Sequence, residues 1–192
     1  MPILTREVFD TIEFDAAATG DHAAAARQMS MLAATGSETA GMPRAEAFLR
    51  AGEQWLLADD PAEAVDGFRR AMVDGGPVFV DPRVPLARAL FQLGRLAEAQ
   101  AIISRLKAEG QSDPRICDMV AELLVDRGDL PAALDWATAG VELCLRQAGD
   151  AGQPPQRQRE NAELPLLLSL RYRIRNDLGL GEDAYDQLLD DA

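Results

Sequence analysis

The feature that most limits what this chain can become is a spacing. Ala64, Ala99 and Ala133 each follow a turn-forming stretch (Asp59-Asp60, Gly94, Gly128-Asp129) and stand 35 and 34 residues apart. Across the turn each is preceded by a small residue, Gly52, Ala87 or Ala121, and each copy carries Trp or Leu three places later (Trp55, Leu90, Leu124). That period belongs to a unit of two helices, in which small residues let the axes approach and bulky ones fill the gap to the next unit. A stack of such units offers a recognition surface and no chemistry of its own.

The helix boundaries follow from local signals. Asp60-Pro61-Ala62-Glu63 places a capping carboxylate, a first-turn proline and a glutamate at the third helical position. Asp81-Pro82 and Asp113-Pro114 repeat that opening, and Asp74-Gly75-Gly76 and Gly110 mark stops. The pattern predicts helix pairs at 45–58/61–73, 82–93/96–109 and 114–127/131–147, within repeats 45–78, 80–112 and 113–147. Residues 8–38 read as a degenerate copy, with its turn at Thr19-Gly20-Asp21-His22, Ala25 at the close contact and an insertion within 34–41. Residues 148–162 lack apolar periodicity and read as a loop. A terminal pair is expected at 164–178 and 182–190 within 164–190. The expectation is an all-α, right-handed α-α superhelix of about five helix pairs, one domain over 1–192.

Composition narrows the function. A net charge of −13 repels nucleic-acid phosphate and anionic lipid, so the reading is no nucleic acid and no membrane. No apolar run approaches the roughly 18 residues of a membrane span. The opening MPILTREVFDTIEFD does not resemble a secretory signal, and two cysteines form no disulfide framework, so a cytoplasmic protein is expected.

Gly52, Trp55, Ala64, Phe68 and Ala71 in one copy carry a resemblance to tetratricopeptide repeats. So do Leu86, Ala87, Leu90, Gly94, Ala99 and Ile103 in the next, and Val120, Ala121, Leu124, Gly128, Ala133 and Gly140 in the third. Departures are Leu106 at a usually small position, Ala137 at a usually large one, and Glu13 and Tyr172 at the first-helix small position of the terminal pairs. The resemblance implies a concave groove lined by the first helices: Glu46, Leu49, Glu53 and Leu56, then Val84, Arg88 and Phe91, then Asp118, Glu122 and Val125. An acidic and apolar lining suits another protein or peptide that is basic and partly hydrophobic. The same residues also fit a merely solvated helix face. With Arg88 the one cation in the set, a clamp for an acidic C-terminus is disfavoured. Arg175-Asn176-Asp177-Leu178-Gly179-Leu180-Gly181-Glu182-Asp183 is similar to a stretch of some actinobacterial repeat proteins that end in a SEC-C zinc motif. The cysteine-rich tail of that motif is not in this sequence, so no metal is expected.

Positive signs of catalysis are missing. There is no HExxH, no phosphate-binding Gly-Lys-Ser/Thr loop and no G-x-S-x-G, so no catalytic residue, cofactor or metal is assigned. His22 reads as a solvent-facing residue at a helix start. Cys117 and Cys144 read as core. Arg157, Arg159, Arg171, Arg173 and Arg175 give 151–176 a local charge of +3, against −16 elsewhere. Two roles fit them: neutralising acidic helices of the same molecule, or binding an acidic partner. The leading functional expectation is a non-enzymatic protein-interaction scaffold or adaptor. The alternative is a self-assembling homo-oligomer whose acidic groove meets its basic C-terminal surface.

Overall fold

The computed structural model describes residues 5–35, 41–150 and 163–190. The helices are α1 (Arg6–Thr19), α2 (His22–Thr35), α3 (Arg44–Leu57), α4 (Pro61–Asp74), α5 (Arg83–Gln92), α6 (Leu96–Glu109), α7 (Pro114–Asp126), α8 (Leu130–Asp150), α9 (Glu163–Asp177) and a short α10 (Gln187–Asp190). No strand occurs among the described residues. The all-α, helix-pair expectation therefore holds, and most boundaries fall within a residue or two of those read from sequence. Asp60 accepts from Glu63 N and Asp113 from Arg115 N, each ahead of a first-turn proline. Asp81 bonds Arg83 N at 2.9 Å as well as the Arg83 guanidinium, so α5 starts after Pro82.

Two boundaries differ from the expectation. Helix α8 continues to Asp150, past the predicted loop start at 148; the rest of that predicted loop, and with it Arg157 and Arg159, lies outside the described residues, as does most of the predicted 34–41 insertion. The last predicted helix, 182–190, is helical only at Gln187–Asp190, after a turn at 184–186. The carboxylates of Asp183 and Asp186 hold this segment to α9 through arginines.

One turn recurs with the same hydrogen-bond register. Asp59 N bonds Leu56 O and Asp60 N bonds Trp55 O; Gly94 N bonds Phe91 O and Arg95 N bonds Leu90 O. Gly128 and Asp129 repeat the pattern on Val125 and Leu124, as do Gly179 and Leu180 on Asn176 and Arg175. The first residue of each pair has positive φ, 57° at Asp59 and 68–75° at the three glycines, which satisfies the last carbonyls of the preceding helix. This explains why Leu178-Gly179-Leu180 looks like the other turns.

The chain forms two compact units, 1–104 and 105–192. In the first, α1 packs on α2, α2 on α3, α3 on α4 and α4 on α5 around Phe9, Met29, Leu49, Phe68 and Leu90. The α3–α4 contact is closest where two glycines meet. A Cβ at Gly52 would lie 2.6 Å from the buried Phe68 ring, and one at Gly67 3.1 Å from Gly52 Cα. In the second unit α7 packs on α8, α9 packs on both, and α10 touches α9. There Gly140 is the close-contact residue, with a virtual Cβ 2.8 Å from Leu167 and 2.9 Å from Cys117 Cβ. Ala137 and Leu106, two of the departures from the repeat pattern, are both fully buried.

Candidate interaction surfaces

The first unit carries seven of the ten expected groove residues. Glu46 and Glu53 on α3, Leu56 beside them and Arg88 on α5 are partly exposed. Leu49, Val84 and Phe91 are not: they are 1%, 3% and 9% exposed. Helix packing draws these apolar side chains into the core, so they are corrected from lining residues to core residues. Exposed apolar groups nearby in sequence include Leu57, Phe79 and Leu93, at 61%, 68% and 37%.

Glu53 is the electrostatic centre of this face. Burial pushes its carboxyl up to about 7, helped by the negative charges of Glu46 and Glu13 and opposed by Arg50. Glu46 accepts a hydrogen bond from Phe79 N at 2.8 Å. Arg50, absent from the sequence-derived set, holds α1 to α3: its Nε donates to Glu13 Oε1 at 2.7 Å and its Nη2 to Asp10 at 2.6 Å. Its guanidinium also lies over the Phe9 ring at 5.7 Å. Glu13 occupies a position where a small residue was expected because Arg50 reaches it there. His22 is likewise not a plain surface residue; its Nδ1 lies 2.9 Å from Oε1 of buried Gln54.

The second unit carries Asp118, Glu122 and Val125 on α7. Asp118 and Val125 are half-buried and Glu122 is exposed. Burial pushes the Asp118 carboxyl up to about 6, with Glu122 and Glu163 adding negative charge and Arg173 opposing. Glu163, at the start of α9, was not among the residues singled out from sequence; nothing in a linear reading places it beside Asp118, 45 residues away. Leu166, one turn further along α9, is 56% exposed.

The basic cluster divides. Arg171 is 4% exposed and bridges three partners: Nη1 donates to Asp186 at 3.1 Å, Nε to Thr138 at 3.0 Å, and both terminal nitrogens to Asp183. Arg175 binds Asp186 at 3.1 Å, Asp183 at 3.0 Å and the Gly181 carbonyl. The two arginines are thus internal ties, the neutralising role, and are corrected as partner-binding residues. The hydrogen bonds from Arg171 are the main cause that holds the Asp183 carboxyl down to about 2, with the backbone N–H groups of Tyr185 and Asp186 adding to it. Arg173 remains exposed. Tyr172 is also exposed while its neighbour Arg171 is buried, so the α9 packing face is offset from the repeat register.

Cys117 and Cys144 are both buried, and burial pushes the Cys117 thiol up to about 11, far from a reactive thiolate. Among the described residues no group of three or more His, Cys, Asp or Glu is placed to hold a metal ion, and no helix is long and apolar enough to cross a membrane.

A family model for the tetratricopeptide repeat matches residues 56–123, from the end of α3 into α7. No curated protein matches the chain. The matched segment contains two of the recurrent turns, at Asp59 and Gly94, and the same turn and helix-pair packing continue outside it at Gly128 and through α7–α9. On these grounds the chain is a tetratricopeptide-like repeat protein.

Proposed function

We propose that this protein is a non-enzymatic interaction scaffold whose first-helix faces bind a basic, partly hydrophobic segment of another protein. Tetratricopeptide repeats are in general protein-interaction modules, and that is the coarse basis of the reading. The observation that carries the finer one is a pair of carboxyls, Glu53 on α3 and Asp118 on α7, raised to about 7 and about 6 by burial and like charge. Each sits among acids that outnumber its opposing arginine, so a Lys or Arg from a ligand relieves repulsion that the protein alone does not. Exposed Leu57 and Phe79 in one unit and Leu166 in the other supply apolar contact.

The self-assembly reading receives less support. It needs a basic C-terminal surface, and Arg171 and Arg175 are occupied by Asp183 and Asp186.

Calorimetric titration with a Lys- and Leu-bearing peptide tests the proposal. Affinity is expected to rise between about pH 5.5 and 8, with protons released on binding. Glu53→Gln and Asp118→Asn should each flatten that dependence. Equal affinity for a peptide of the same pattern with Asp in place of Lys would sink the idea.

A further inference from the structure

The groove between α1 and α2 is a separate feature from the faces just described. It encloses about 490 Å³. Val8, Ile12 and Ala16 form one apolar row along α1 at intervals of four, and Ala25 of α2 joins it; Ile12, Ala16 and Ala25 make the deep floor and are only 8%, 3% and 5% exposed. Val8, at 39% exposure, is the member of that row that reaches the surface. The rim carries Glu7, Asp15 and Asp21, and among the described residues no lysine or arginine lines the groove.

The acids of α1 divide by face. Asp10 and Glu13 are held by Arg50. Among the described residues the side chains of Glu7 and Asp15, on the groove side, have no hydrogen bond or ion pair. Asp21 spends one oxygen on capping α2, accepting from Ala24 N at 3.0 Å. Glu7 and Asp15 are separated by eight residues, a rise of about 12 Å along the helix axis.

We propose that this groove docks a cationic amphipathic α-helix of a partner protein. The apolar row of α1, open to solvent at Val8, matches the apolar stripe of a third helix, which presents side chains every three or four residues. Small Ala16 and Ala25 allow its axis to come close. Charge complementarity fixes the remaining chemistry: Lys or Arg on the docked helix, seven or eight residues apart, would meet Glu7 and Asp15 together. A helix with carboxylates there would meet unrelieved repulsion.

The probe is a helical peptide with an Ala/Leu stripe and two Lys residues spaced at about eight positions, followed by fluorescence anisotropy against the full chain. Controls are the same peptide with Glu for Lys, and an isomer with the two Lys adjacent. The matched peptide should bind best. Asp15→Lys should weaken it about tenfold or more, and Ala24→Trp, which fills the mouth from an exposed position, should abolish binding without changing the circular dichroism. Glu53→Gln and Asp118→Asn should leave it unchanged, which separates this groove from the first-helix faces. Three peptide-binding results, and one in the protein alone, overturn the proposal. One is no saturation up to about 1 mM. Another is binding that survives both Asp15→Lys and Ala24→Trp. The third is loss on Glu53→Gln rather than Asp15→Lys, which assigns the peptide to the other site. Concentration-dependent dimerisation abolished by Asp15→Lys would instead make a second copy the occupant and overturn the partner-helix assignment.

Discussion

Asp59 is the one described non-glycine residue with positive φ, at 57°, and it fills the turn position that Gly94, Gly128 and Gly179 occupy elsewhere. A left-handed conformation costs most L-residues about 1–2 kcal/mol, with Asp and Asn the more tolerant types. Asp59→Gly removes that strain and pays part of it back as backbone entropy in the unfolded chain. The expected net result is stabilisation of about 0.5–1 kcal/mol, read as a higher urea midpoint with unchanged slope. Gly52 is the opposite case. Its virtual Cβ lies 2.6–3.0 Å from three carbons of Phe68, a ring with no exposure and so no room to swing. Gly52→Ala should destabilise by about 1–3 kcal/mol through overpacking, while Glu98→Gln on the surface should stay within about 0.5 kcal/mol. Equal shifts in chemical denaturation for the two would refute the close α3–α4 contact.

At the scale of elements, the C-terminal segment is held by charge more than by helix. Arg171 and Asp186 are both nearly buried, at 4% and 5% side-chain exposure, and Arg175 and Asp183 complete the group. Removing Arg171 leaves buried Asp186 and part-exposed Asp183 to share Arg175, a loss of up to about 3–5 kcal/mol, the range for breaking a buried ion pair. Arg171→Met should therefore release the 178–190 segment, seen as faster amide exchange there, while exposed Arg173→Met should not. Little of this was legible beforehand. Helix starts at Asp60 and Asp113 were readable because a cap bonds a backbone two or three residues away. Ala64, Ala99 and Ala133 were readable because packing repeats with the helix pair. Arg171 reaches partners 12 and 15 residues on, and Arg50 reaches Glu13 from 37 residues away. Such pairs depend on the path of a turn, which carries no periodicity. The expected groove failed partly for a related reason: position along a first helix predicts which way Leu49, Val84 and Phe91 start out, but neighbouring helices decide whether they reach water.

For the whole molecule, the shifted carboxyls predict how stability varies with pH. Glu53 and Asp118 titrate at about 7 and about 6 when folded, against ordinary values of 4.5 and 3.8. The folded chain therefore binds more protons than the unfolded one between these values, and stability rises as pH falls through 7 and 6 towards 4. Asp183 has the opposite sign. Its folded value of about 2 lies below 3.8, so its contribution is present above that ordinary value and is lost as pH falls towards 2. Together they place the stability maximum on the mildly acidic side, between the fall due to Asp183 and the rise due to the other two. Urea midpoints measured from about pH 8 down to 3 should pass through that maximum. Glu53→Gln, which replaces the disfavoured carboxylate by a neutral amide of similar shape, should raise the midpoint at pH 8 and flatten the slope between 8 and 6. A Glu53→Gln profile parallel to that of the parent chain would mean that Glu53 titrates normally. The same result would remove the electrostatic argument for a basic ligand at that face.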